Sequence, residues 1–362
     1  MREPGGLAAS PYTQERFDAM PPIMPDSLNR RHFLRQSFAF SAAAALAPSS
    51  IFASPKSPRA KSDAAHLLML GDWGRETKDQ AQHIVAQGMI GYTQKLGLSP
   101  QALLMLGDNW YDALPGGVDS PRWQTGFEQM YPQSVFNCPA YAIPGNHDYQ
   151  RMPESKLAAE LEYARRGNTR WTMPSLWYRF TFPSKNPLIT FIALDSNVFH
   201  EDGKPEKNNV NFTLTPEQQA EQLSWFKAEL EKPLTTPFLV VMAHHPVFSN
   251  GPHGDHKVLI RDWDPLLRKH NVHLYLAGHD HDLQHLEFEG HPTSFLLSGG
   301  GGADLYTLRE EEAARGPYAQ KVHGFSHLEV TSSLLTMSHI NADGSVLHAF
   351  TKTPGGKISI IS

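Results

Sequence analysis

Short apolar runs alternate with longer segments of helical periodicity through the first two thirds of the chain, and strands alone follow. HLLML, ALLML, FLVVMA and LYLA contain no Asp, Glu, Lys or Arg and stop at Gly71, Gly107, His244 and Gly278, as buried strands do. The pattern predicts strands over 66–70, 102–106, 139–143, 176–182, 189–194, 238–243 and 273–276. Helices are expected over 78–96, 121–131, 215–230 and 257–270. Further on come strands near 283–288, 293–298, 325–331, 334–340 and 346–351. Alternating βα units followed by a meander imply an α/β (α+β) fold, two packed sheets with helices outside.

Four of these runs lead directly into polar blocks, and a fifth block follows 139–143. The blocks are GDWG (Asp72), GDNWYD (Asp108, Tyr111), GNHD (Asn146), AHHP (His244) and GHDH (His279, His281). Loops at the carboxyl ends of strands converge on one crevice in such sheets, so donors distant in sequence can share a site. Carboxylates, a carboxamide and imidazoles suit iron, zinc or manganese, whereas thiolate-preferring metals would need more than the lone Cys138.

Each donor also has an ordinary reading. Asp72 and Asp108 can turn the chain or cap a helix, Asn146 and His147 sit in good turn chemistry, and His244 or His245 alone reads as a core histidine. GHDH is stronger, because both histidines reach one region only if the backbone bends. The ordinary readings fail jointly, in the order Asp, Asp, Asn, His, His-x-His.

Composition then sets bounds. The 362 residues are 40% apolar and carry a net charge of −5, enough for one large core or two modest ones, without the basic stripe of a nucleic-acid binder. A single cysteine excludes an intramolecular disulfide. Asn29-Arg30-Arg31-His32-Phe33-Leu34-Arg35, followed by a short alanine-rich stretch, reads as a twin-arginine export signal. Met20 and Met24 are more usual starts for it. Residues 1–53 are therefore read as the signal region, 54–63 as a tether, 64–353 as the catalytic domain and 354–362 as a loose tail. The alanine-rich run falls short of the ~20 residues of a membrane span, so no stable span is expected. The expected location is the bacterial periplasm or the medium, reached through the twin-arginine machinery.

The five blocks together resemble the calcineurin-like metallophosphoesterases. Tyr111, three residues after Asp108, narrows the resemblance to the purple acid phosphatases, especially their small mammalian tartrate-resistant type. It covers roughly residues 64–351 and includes LSWFKAEL and LSGGG. It implies a four-layer αββα metallophosphoesterase sandwich, two mixed β-sheets flanked by helices. It also implies Fe(III) on Asp72, Asp108, Tyr111 and His281, with a divalent ion (Fe, Zn or Mn) on Asp108, Asn146, His244 and His279, Asp108 bridging. The donor types agree, since a phenolate suits Fe(III) and a carboxylate can span two cations.

The implied activity is hydrolysis of phosphate monoesters of small molecules, by in-line attack of metal-bound hydroxide. A phosphodiesterase on the same scaffold and a slow metal-bearing phosphate-binding or redox protein are the alternatives. His147 and His253 are the expected catalytic side chains, with His256 as a substitute for His253. His245 stands where the mammalian enzymes have tyrosine. Polar segments 201–214 and 310–323 are expected to frame the substrate mouth. The run Ser298 to Gly302 reads as a strand-end turn rather than a phosphate loop.

Overall fold

The structure is a computed structural model that describes residues 64–75, 80–150, 155–198, 213–309 and 315–362. The export signal and the tether lie outside these residues, as do 201–212 of the first segment expected at the substrate mouth and 310–314 of the second. No helix among the described residues is long and apolar enough to cross a membrane.

Eight strands form the first sheet. Its parallel half holds β1 (Ala65–Leu70), β2 (Ala102–Met105), β3 (Ala140–Ala142) and β4 (Trp171–Thr172). On the other side of β1, antiparallel pairing adds β12 (Gly324–Val330), β13 (Leu335–Asn341), β14 (Val346–Lys352) and β15 (Ile358–Ile360).

The second sheet runs β11 (Tyr318–Gln320), β9 (Leu283–Leu286), β10 (Ser294–Ser298), β8 (Leu274–Ala277), β7 (Phe238–Met242), β6 (Ile189–Ala193) and β5 (Tyr178–Phe182). Strands β6, β7, β8 and β10 are parallel.

Alternation along the strands makes the layers. Leu67, Met69 and Leu104 meet Phe191, Val240, Met242, Leu276 and Leu296 between the sheets. Leu68, Leu70 and Met105 turn outward onto Val85 and Met89 of α1 (Ala81–Leu96). On the far side, Val241, Tyr275 and Leu297 pack on Phe226 of α3 (Pro216–Glu231) and on Leu259 of α4 (Lys257–Asp262). Each fully buried side chain of this kind contributes about 1.5–3 kcal/mol. The result is the four-layer αββα sandwich.

Local chemistry sets the helix ends. Gly97, at φ 63°, closes α1 with Gly97 N–H on Gln94 O and Leu98 N–H on Thr93 O. Thr215 and Gln218 form a reciprocal capping box ahead of Pro216.

Four details depart from the sequence reading. The expected helix 257–270 is two helices, α4 and α5 (Asp264–Lys269), broken at Trp263, where Pro265 cannot continue the hydrogen bonding of the first. The expected helix 121–131 is a wider π-helical segment, Trp123–Glu128. The tail is not loose, since β15 pairs with β14 and His273 Nε2–H donates to Pro354 O at 2.9 Å. An unforeseen helix, α2 (Lys156–Arg165), buries Lys156, Ala159, Glu160 and Tyr163.

Burial pushes His327 and His339 down to about 3, with His66 adding to the effect at His327 and His348 and His285 at His339. The folded chain therefore holds both neutral while the unfolded chain protonates below about pH 6.5, so their stabilisation is lost as pH falls from there. At pH 5 the loss is about 2 kcal/mol per histidine. Urea unfolding at pH 7 and pH 5 should show wild type losing about 2 kcal/mol more than His339→Gln; equal losses would contradict this assignment.

Candidate metal centre

All five blocks arrive at one end of the sandwich. Asp72 follows β1, Asp108 and Tyr111 follow β2, Asn146 follows β3, His244 follows β7, and His279 and His281 follow β8. The backbone turns sharply there: Asp72, Asp108 and His279 have φ of 59°, 50° and 71°, a left-handed region costing about 1–2 kcal/mol outside glycine. His279 supplies the bend that His-x-His requires. The glycines of GNHD and GHDH admit the ligand loops: a Cβ on Gly145 would lie 2.1 Å from Asp108 N, and one on Gly278 2.5 Å from Asp72 Oδ2.

The seven donors converge as two touching groups. Tyr111 O–H donates to Asp72 Oδ1 at 2.9 Å and lies 2.9 Å from His281 Nε2. Asn146 Oδ1 lies 3.1 Å from both His244 Nε2 and His279 Nδ1. Between the groups, Asp108 Oδ1 is 3.4 Å from His244 Nε2, and one donor atom each from Asp72, Asp108 and His244 fall within 4.8 Å of one another.

Carbonyls fix two imidazole tautomers. His244 Nδ1–H donates to Leu106 O at 2.9 Å and His281 Nδ1–H to Asp304 O at 2.6 Å. Each Nε2 lone pair is thereby turned inward, the usual arrangement behind a metal-binding histidine.

Burial, Asp108 and Asp72 all push the Tyr111 phenol well above its usual range. Burial lowers His244, but Asp108 and Asp72 outweigh it and carry the ring up to about 10. Buried carboxylates thus draw positive charge onto the nearest imidazole, and a metal ion supplies that charge in its place. Hard oxygens with imidazoles fit such an ion, and a cation beside the phenol favours the phenolate.

His147 and His253 flank the donors. His147 N–H donates to Asp108 Oδ1 at 2.8 Å, and its ring lies 4.3 Å from that of Tyr111. Its imidazole makes no hydrogen bond among the described residues. Asp148, the next residue, accepts from the backbone N–H groups of Gly145, Asn109 and Trp110. His253 lies 4.1 Å from the His279 ring and donates Nδ1–H to Asp280 Oδ1 at 2.6 Å. His256 accepts from Leu259 N–H as the cap of α4. His245, held neutral by burial and by His244, lies 4.3 Å from His279 and shares a 2.8 Å hydrogen bond with Ser196 Oγ. The glycine run packs under the site, with Gly299 N–H on Asp282 O and Gly301 N–H on Gly71 O.

Several neighbours carry no sequence signal. Tyr306 stacks on His281 at 4.0 Å, and Arg75 pairs with Asp304 at 3.0 Å while lying 5.9 Å from the Tyr111 ring. Asp280 was not singled out in the sequence, although it stands between the two histidines of GHDH. Beneath Tyr111, Lys156 Nζ donates to Trp110 O at 2.5 Å and to Tyr111 O at 3.0 Å. Asn109 Nδ2 reaches Ile143 O, Asp148 Oδ2 and Glu160 Oε2.

Two mixed sheets carrying such a centre at their strand ends define a metal-dependent phosphoesterase. The profile of the calcineurin-like phosphoesterases matches residues 65–283, and the chain belongs to that family, among its purple acid phosphatases. Purple acid phosphatase 7 of Arabidopsis thaliana is 30% identical over 298 residues, covering 80% of this chain and 86% of the relative. Tartrate-resistant acid phosphatase type 5 of Oryctolagus cuniculus is 29% identical over 301 residues, covering 78% and 88%.

Two solved structures share the fold. The Plasmodium protein GAP50, described as the anchor in the inner membrane complex, superposes with TM-score 0.66 at 20% identity over 83% of this chain and 90% of its own. Purple acid phosphatase PPD1 of Lupinus luteus gives 0.59 at 17%, over 81% and 54%.

Proposed function

We propose that the chain is an exported acid phosphatase hydrolysing phosphate monoesters of small molecules at a binuclear centre. Asp72, Asp108, Tyr111 and His281 would hold Fe(III), and Asp108, Asn146, His244 and His279 a divalent iron, zinc or manganese ion. The observation that carries this reading is Tyr111 O–H lodged 2.9 Å from both Asp72 and His281, because a phenolate among such donors selects ferric iron over zinc. Metal ions bound there supply Lewis acidity, screening the phosphate charge and acidifying water.

The remaining roles belong to side chains. His147, fixed through its backbone on Asp108 and by its ring on Tyr111, offers an N–H to a phosphoryl oxygen. His253 keeps its Nδ1–H on Asp280 and delivers a proton from Nε2 to the leaving oxygen. That delivery starts from the imidazolium. Export follows from the paired Arg30 and Arg31.

Initial rates on a phosphate monoester and the matching diester at pH 5 test the proposal. The monoester should be turned over faster; a preference for the diester would replace the proposal with a phosphodiesterase.

A further inference from the structure

Two arginines outside all five blocks grip the loop that carries His253. Arg315 Nη1–H donates to Ser249 O at 2.9 Å and Nη2–H to Asp255 Oδ1 at 2.8 Å. That carboxylate oxygen also accepts Ser249 N–H at 3.2 Å, so one guanidinium ties both ends of the loop together. Arg309 donates its backbone N–H to Asn250 O at 2.7 Å and Nη1–H to Pro252 O at 3.0 Å. The Arg315 side chain retains 19% of its exposure and lies 5.8 Å from the Phe288 ring, which packs 4.7 Å from Phe248, the residue before Ser249.

The loop so held fits closely against Asp280. A Cβ on Gly251 would come within 2.3 Å of Asp280 Cγ. Ser249 Oγ–H donates to Asp280 Oδ2, and His253 Nδ1–H to its Oδ1 at 2.6 Å. Ser249 is therefore held by Arg315 through its carbonyl and by Asp280 through its hydroxyl. The loop contains Gly251, Pro252 and Gly254 and few internal hydrogen bonds: Ser249 N–H on Asp255 Oδ1, Gly251 N–H on Ser249 Oγ, Gly254 N–H on Gly251 O, and His256 N–H on Val247 O at the neck. An ion pair near the surface contributes at most about 1 kcal/mol to stability, whereas a ~1 Å misplacement of a reacting group can cost two orders of magnitude in rate.

We propose that Arg315, with Arg309 as a second hold, is a positioning residue for leaving-group protonation, keeping His253 against Asp280 with Nε2 directed to the ester oxygen. The proposal rests on the reading of His253 as proton donor. As the P–O bond breaks, its electron pair passes to the leaving oxygen, which takes the Nε2 proton of the imidazolium. The neutral ring keeps Nδ1–H on Asp280 and is reprotonated from water.

Metal-loaded wild type, Arg315→Met, Arg315→Lys, Arg309→Met, His253→Ala and the Arg315→Met/His253→Ala double variant are compared on two monoesters. One is an alkyl phosphate, whose alkoxide must be protonated; the other is p-nitrophenyl phosphate, whose phenolate leaves unaided. Arg315→Met should lower kcat on the alkyl ester roughly tenfold and on the aryl ester less than about twofold. Arg315→Lys, which cannot span both acceptors, and the exposed Arg309→Met should show the same selectivity more weakly, and Arg309→Met serves if Arg315→Met does not fold. His253→Ala should show it more strongly, and the double variant should be no slower than His253→Ala alone. Equal slowing of both esters, no slowing, or additive losses in the double variant would overturn the positioning role alone. A His253→Ala variant without dependence on the leaving group would overturn the reading of His253, and the positioning role with it.

Discussion

Asp108→Asn is expected to lower kcat/KM on a phosphate monoester by roughly three orders of magnitude or more, about 4 kcal/mol of transition-state stabilisation. Asp108 is buried, and its Oδ1 accepts His147 N–H at 2.8 Å and stands 3.4 Å from His244 Nε2. Burial raises this carboxyl, but His244 and His147 outweigh it and hold it below the usual carboxylate range. It is thus anionic in acid, and in the proposed centre it alone would touch both metals. Asparagine keeps the size and the tolerance for a left-handed backbone while removing the charge. Steady-state kinetics with metal analysis of the same preparation is the check. Activity within tenfold of wild type would mean that Asp108 does not hold the centre together.

Lys156→Met is expected to cost about 3–5 kcal/mol of stability, the usual penalty for removing one partner from a buried charged network. Lys156 is 1% exposed, and its ammonium serves the carbonyls of Trp110 and Tyr111. Met preserves the volume but leaves those carbonyls and the neighbouring carboxyl of Asp148 without their cation. Burial and Asp148 push Glu160 well above the carboxylate range, so this side chain is a neutral acid, and Glu160→Gln should cost under about 1 kcal/mol. Denaturant unfolding of both variants separates the two effects. Equal losses would show that the network is not organised around the lysine.

The same network explains why α2 was invisible in the sequence. Periodicity finds a helix by its apolar stripe, but the buried face of Lys156–Arg165 includes Lys156 and Glu160, whose partners lie in the metal-bearing loops. The strands were legible because sheets buried on both faces leave uninterrupted apolar runs, and the donors were legible because each run stops at one. Arg75, Asp304, Tyr306 and Arg315 were not, since a surface side chain gains its role only from what the fold brings beside it. Ser196 shows the same limit: it follows a predicted strand, but nothing in LDSN announces the hydrogen bond to His245. The tail was misread because Gly355 and Gly356 suggested freedom, whereas they serve the turn that returns Ile358–Ile360 to β14.

The buried histidines bound the acidic working range. Below about pH 5 the stability lost through His327 and His339 grows by up to ~1.4 kcal/mol per histidine per pH unit, so unfolding should set the acid limit of the activity.

Metal analysis combined with a visible spectrum of the purified protein tests the central claim most directly. Two metal ions per chain, at least one of them iron, and a tyrosinate-to-iron charge-transfer band that Tyr111→Phe abolishes are the expected result. A single ion, no iron, no such band, or a band that survives Tyr111→Phe would contradict the assignment.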